Sequence, residues 1–84
     1  MSLDIKEMDE QALKAYLQDL WQTQLKLEQV EEEDDFLKLG AQSVDMFRML
    51  TKVETDFDLE LEFDPFFEDT RLVTLLKVLM SAQS

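Results

Sequence analysis

The architecture turns on residues 39–57, Leu39-Gly40-Ala41-Gln42-Ser43-Val44-Asp45-Met46-Phe47-Arg48-Met49-Leu50-Thr51-Lys52-Val53-Glu54-Thr55-Asp56-Phe57. Gly40 is the only glycine of the chain, and Ser43 follows it by three residues. From Ser43 onward, Met46, Phe47, Met49, Leu50, Val53 and Phe57 recur at the three-and-four spacing of a helix face. Ser43 stands where an N-cap or first-turn residue belongs. In that helix Met49, Leu50, Val53 and Phe57 share an inward stripe, while Val44, Phe47 and Thr51 lie on a second face flanked by Arg48 and Lys52. The second face is expected to be exposed.

Upstream, between residues 9 and 27, apolar residues at Leu13, Tyr16, Leu17, Leu20, Trp21 and Leu25 predict another helix, with Asp9 as N-cap and Glu10 in its first turn. Residues 28–40 break the pattern. Five consecutive acids at positions 31–35 repel one another too strongly for an isolated helix, so a long loop is expected there, pinned to the core by Val30, Phe36 and Leu39 and ending at Gly40. Its length exceeds that of most loops and hints at function. Calcium binding is the sharper reading of such acidity and a solvated loop the plainer one. Neither the run at 31–35 nor Asp56-x-Asp58-x-Glu60-x-Glu62 has the glycine and terminal glutamate of a calcium-binding loop.

Downstream, Phe57, Leu59, Leu61 and Phe63 alternate with acids in imitation of a strand, but a lone strand is not stable and an extended connection is expected. Asp64 followed by Pro65 signals a helix start, with room for about one turn before a second start at Thr70. Thr70 is expected to cap a last helix whose buried stripe is Leu72, Leu75, Leu76 and Leu79, widened by Val73, Val78 and Met80. The whole predicts an all-α fold, a small four-helix bundle of three main helices plus one short helix, as a single domain over residues 1–84 with its core at roughly 9–81.

Composition excludes several function classes. With 20 Asp and Glu against 8 Lys and Arg, the net charge of -12 repels nucleic acid and anionic membranes and favours basic partners, unless it serves solubility alone. The absence of cysteine and histidine removes disulfides, thiol nucleophiles, the usual general base and the commonest transition-metal ligand. An enzyme here would have to work with carboxylates alone, and no pair of them stands out. The first eight residues carry no apolar run or cleavage pattern, and no stretch of eighteen apolar residues occurs, so a cytoplasmic, soluble protein is expected; a monomer is expected as well.

The segment Leu39-Gly40-Ala41-Gln42-Ser43-Val44 resembles the attachment motif of acyl and peptidyl carrier proteins, Leu-Gly-x-Asp-Ser-Leu. The surroundings are similar to that family as well: Trp21 and Leu25, Asp34-Asp35-Phe36 before the motif, then Leu50, Glu54 and Phe57. Phe67-Glu68-Asp69-Thr70-Arg71-Leu72 resembles the Phe-x-x-Pro-Thr-Leu found at the last helix of modular synthase carriers. The resemblance spans roughly residues 13–80. Gln42 departs from it where the family has the Asp associated with recognition by the modifying transferase, and Ala41 and Val44 depart more mildly.

The resemblance implies a bundle of the acyl-carrier-protein type that performs no catalysis. Ser43 would carry 4'-phosphopantetheine from coenzyme A, and Gln42, Val44, Phe47, Arg48 and Thr51 would face partner enzymes. Those partners would be a phosphopantetheinyl transferase, a loading enzyme that is either an adenylating ligase or an acyltransferase, and downstream synthase or tailoring enzymes. The chain would act as a free-standing carrier of acyl or aminoacyl thioesters, with Trp21 and the 67–70 segment leaning toward polyketide or nonribosomal peptide biosynthesis. An unmodified carrier-like interaction module is the alternative, kept open by Gln42. Independently of the family, a serine hydroxyl at a helix start suits a phosphate, because unpaired backbone N–H groups and the positive end of the helix dipole meet it there.

Overall fold

A computed structural model describes residues 3–83. The outermost positions of the expected 1–84 domain, and the first two residues of the featureless N-terminal stretch, lie outside them. The elements are a 3-10 turn at Ile5–Glu7 and four helices, α1 (Glu10–Leu25), α2 (Ser43–Phe57), α3 (Asp64–Glu68) and α4 (Leu72–Ser81). Three are long and one is a single turn, as the periodicity predicts.

Helix α1 starts where expected, with the Asp9 carboxylate accepting from the Ala12 N–H at 2.8 Å. It ends two residues short of residue 27, because Lys26 adopts the left-handed conformation (φ 56°) and the Leu27 N–H folds back to the Gln22 carbonyl at 2.9 Å. No glycine marks that stop, which is why the apolar period overran it. Leu13, Leu17 and Trp21 are fully buried and carry α1 onto α4 and α2.

Trp21 sits at the junction of three elements. Its ring meets Phe36 of the 26–42 loop edge-on at 4.9 Å and Phe66 of α3 at 6.3 Å, and all three are 0% exposed. Such pairs add about 0.5–1.5 kcal/mol beyond area burial. The indole N–H finds no acceptor among the described residues, at a cost of about 1–3 kcal/mol that the packing must exceed.

Polar side chains of α1 hold the loop in place. Gln18 donates to the Val30 carbonyl at 2.9 Å, Gln22 to the Glu28 carbonyl at 3.3 Å, and Lys14 pairs with Glu32 at 3.0 Å. Val30 and Phe36 are buried as expected, and Leu39 is half-buried.

The acid run is more than a solvated loop. An isolated antiparallel bridge pairs Asp35 with Arg71, the Phe36 N–H donates to the Thr70 carbonyl at 2.8 Å, and the Arg71 guanidinium spans Glu33 and Asp69 at 2.6 and 2.8 Å. The carbonyls of Asp34 and Glu32 accept from the Leu72 and Val73 N–H groups at 3.0 and 2.9 Å. These are the first two donors of α4, so the loop backbone caps that helix. The expectation that Thr70 caps α4 is therefore corrected: Arg71 holds the N-cap position without a side-chain cap bond, and the Thr70 hydroxyl turns instead to Asp35.

A smaller correction concerns α3. Phe63 takes its N-cap position and Asp64 is already helical, with Pro65 in the first turn. Residues 58–63 form no strand. Asp58 ends α2 in the left-handed conformation (φ 53°), and Glu54 accepts from the Leu61 N–H at 2.9 Å. The buried stripe of α4 is Leu72, Leu75, Leu76 and Leu79 as predicted, with Val78 also buried.

The N-terminal stretch, featureless by periodicity, is tied down. Ile5 is buried, the Leu3 N–H donates to the Asp56 carbonyl at 2.6 Å, and Gln83 donates to the carbonyls of Ile5 and Met8. Nearby, Tyr16 and Lys52 both donate to the Asp56 carboxylate at 2.6 Å. Burial, and then the Asp56 carboxylate, push the Tyr16 hydroxyl well above its ordinary range.

Phe36→Ala is expected to cost about 3–5 kcal/mol, the range for a large buried aromatic, whereas Leu37→Ala, at an exposed neighbour, should stay within about 0.5 kcal/mol. Urea denaturation followed by circular dichroism measures both. The acid limb of stability is also assignable. Hydrogen bonds from Arg71 and then Thr74 hold the Asp69 carboxyl well below the usual carboxylate range. At Asp56 burial acts upward, but hydrogen bonds from Lys52 and Tyr16 leave it lowered. A carboxyl depressed in the folded state stabilises above its unfolded pKa and loses that contribution as pH falls. Stability should therefore drop below about pH 4, and Asp69→Asn should flatten that drop in urea midpoints compared between neutral and acid pH.

Candidate functional site

The loop delivers the chain to Ser43 through a tight turn. Asp35 opens it, its carboxylate accepting from the Leu37 N–H at 3.1 Å and its carbonyl from the Leu39 N–H at 3.0 Å, and the Gly40 N–H closes on the Leu37 carbonyl at 3.3 Å. Gly40 has φ +100°, a conformation other residues adopt at a cost, and nothing lies within 4 Å of where its Cβ would be. Backbone conformation, and no lack of space, calls for glycine there.

Gln42 is the N-cap of α2, in extended conformation, and Ser43 is the first helical residue. The Asp45 carboxylate reaches back to the Gln42 N–H at 2.9 Å, the acidic half of a capping box. The Gln42 carbonyl accepts from the Asp45 and Met46 N–H groups at 3.0 and 3.1 Å. That leaves the N–H groups of Ser43 and Val44 without a protein partner among the described residues. Gln24 of α1 donates to the Asp45 carbonyl at 2.7 Å and fixes the first turn from behind.

Ser43 is exposed, and so are Gln42, Val44, Phe47, Arg48 and Thr51. Val44 is 49% and Phe47 58% exposed, large values for apolar side chains beside a fully buried Met49. Residue reasoning missed Phe67, which is 46% exposed with its ring 6.3 Å from that of Phe47. A signal existed in the adjacent pair Phe66 and Phe67: a one-turn helix can bury only one of two neighbours, and Phe66 takes the core.

The electrostatics of α2 follow from where its acids are engaged. Asp45 accepts from Gln42, Glu54 from Leu61, and Asp56 from Tyr16 and Lys52. Arg48, in contrast, has no ion-pair partner among the described residues. A protein of net charge -12 thus shows Val44, Phe47, Thr51 and a free guanidinium beside Ser43.

Chemically the arrangement presents a hydroxyl, two free backbone donors and an apolar rim, and the nearby carboxylate of Asp45 is engaged at the Gln42 N–H. A phosphodiester fits: its oxygens would face the Ser43 and Val44 N–H groups and the positive end of α2, a contribution of about 0.3–1 kcal/mol. No group of residues suited to a metal ion occurs among the described residues. A cleft of about 420 Å³ around Leu61, Pro65 and Val78 shares no residue with this site.

A family model described as a phosphopantetheine attachment site matches residues 15–79. No curated protein matches the chain in sequence. Within residues 15–79 Ser43 is the only serine.

Asp45→Ala is expected to cost about 0.5–2 kcal/mol through loss of the α2 cap, and Gly40→Ala about 1–2 kcal/mol through backbone strain alone. Thermal melts of the two variants against the parent check both values.

Proposed function

The chain belongs to the phosphopantetheine attachment-site family, and from that premise we propose that it carries acyl or aminoacyl intermediates on an arm attached to Ser43. Members of this family bear 4'-phosphopantetheine covalently on a serine, are in general carriers rather than catalysts, and work with phosphopantetheinyl transferases and biosynthetic enzymes. No helix among the described residues is long and apolar enough to cross a membrane.

The observation that carries the assignment to Ser43 is its singularity: it is the only serine in the matched span, and it is solvent-facing at a helix start with two free N–H groups. The arm, when attached, supplies a terminal thiol that holds the cargo as a thioester. The chain's own residues do the rest. Gly40 and Gln42 turn the hydroxyl outward, the α2 terminus receives the phosphate, and the fixed first turn gives the arm a rigid root. Tethering makes each transfer in a docked complex nearly unimolecular, so weak and reversible docking is enough.

Val44, Phe47 and Thr51, with Arg48 at their edge and Phe67 across from Phe47, form the docking face for the transferase, a loading enzyme (adenylating ligase or acyltransferase) and downstream synthase or tailoring enzymes. Trp21 and the 67–70 segment favour a polyketide or nonribosomal peptide system, through their resemblance to modular synthase carriers. A second reading, an unmodified interaction module using the same face, draws on Gln42 standing where the family has Asp.

Incubation with coenzyme A and a broad-specificity phosphopantetheinyl transferase, followed by intact mass measurement, separates the two. The parent protein is expected to gain one arm and Ser43→Ala none. A parent protein of unchanged mass would favour the interaction module, and an arm on Ser43→Ala would refute the serine assignment.

A further inference from the structure

Thr70 is the one polar residue buried among the described residues, at 8% exposure, and its hydroxyl has a specific target. It donates to Asp35 Oδ1, the same oxygen that accepts the Leu37 N–H. The Thr70 carbonyl accepts from the Phe36 N–H at 2.8 Å, so one residue of the α3–α4 connection grips two consecutive residues of the loop. The Asp34 and Glu32 carbonyls extend the contact along the first turn of α4. From Asp35 the turn runs through Leu39 and Gly40 to the N-cap of α2, with Ser43 eight positions on.

We propose that Thr70 and Asp35 are positioning residues, a latch that holds the 32–42 loop on α4 and so sets how Ser43 is presented to the enzyme that modifies it. The inference rests on Ser43 being the attachment residue, and it adds to that reading a reason for a buried hydroxyl some thirty residues away in sequence. Neither side chain faces solvent as a recognition element: Thr70 is buried and Asp35 half-buried. Their effect passes through the backbone of the turn. Without the hydroxyl, Asp35 loses a partner in a partly desolvated place, the condition under which an unmade hydrogen bond is most costly. The turn would then open locally while the bundle stays folded, as weakly held segments do. The modifying enzyme would meet a serine that must be ordered on docking, which weakens binding without altering the chemical step.

Thr70→Val keeps the shape and removes the donor, Thr70→Ser keeps the donor, and Asp35→Ala removes the acceptor. On the unmodified protein, amide hydrogen exchange at Leu37, Leu39 and Gly40 is expected to quicken about tenfold in Thr70→Val and Asp35→Ala, with Leu17 of α1 unchanged and Thr70→Ser close to the parent. With coenzyme A and a broad-specificity phosphopantetheinyl transferase, the KM for the carrier should rise about tenfold in the same two variants at constant kcat. The double variant should be no worse than Asp35→Ala alone. Exchange that is unchanged in the turn, or that quickens equally in α1, would overturn the latch, as would a KM equal to the parent's. Failure of the parent protein to accept the arm would sink the Ser43 reading instead, and the exchange comparison would still decide the latch.

Discussion

Residue 36 must be drawn into the core while the five acids before it are kept in water or given partners, and the rest of the structure is arranged around that constraint. The Phe36 ring enters edge-on against Trp21, and with it the backbone of residues 32–35 is pressed onto the start of α4. Of the carboxylates, those of Glu31 and Glu33 stay exposed, Glu32 pairs with Lys14, and Asp35 meets the Thr70 hydroxyl. The main-chain carbonyls, brought in by the ring, take over the capping of a helix whose N-cap, Arg71, offers no side-chain acceptor. Apolar burial of one side chain thereby satisfies backbone donors in another element, and a loop rich in like charge is held by main-chain bonds to the start of α4.

Much of this was legible in the sequence, and the places where it was not have physical causes. The inward stripes of α1, α2 and α4 follow from spacing, since burial of a helix face needs no information beyond the residues on it. The exposed pair Val44 and Phe47 was readable for the same reason. Boundaries failed where the stop is conformational and no residue type announces it, as at Lys26 in the left-handed region. A threonine before a leucine-rich run usually caps it, so the local pattern points Thr70 to that role. Its true partner, Asp35, is distant in sequence, and only tertiary structure brings the loop's carbonyls to the donors that Thr70 would otherwise have met. Leu3, Ile5 and Met8 set up no sustained period, so the burial of Ile5 is not legible in the sequence.

The candidate site shows the same division. The motif around residues 39–44 named Ser43, but the role of Asp45 in tying down Gln42, and the engagement of every α2 acid within the protein, depend on geometry that local patterns do not contain. As a result the face beside Ser43 is apolar and locally cationic on a strongly acidic chain. Electrostatic attraction of a basic partner, which net charge alone suggests, would act at long range and not at the point of contact.

The bonds that tie Leu3 to Asp56 and Gln83 to Ile5 and Met8 gather the two ends of the described chain at one pole of the molecule. Ser43 opens the other end of α2, roughly 20 Å away along a fifteen-residue helix. Leu3 and Gln83 therefore lie in the hemisphere opposite the serine. A fluorescent label placed at the exposed Leu3 would thus sit about one helix length from Ser43 and leave the serine pole unobstructed.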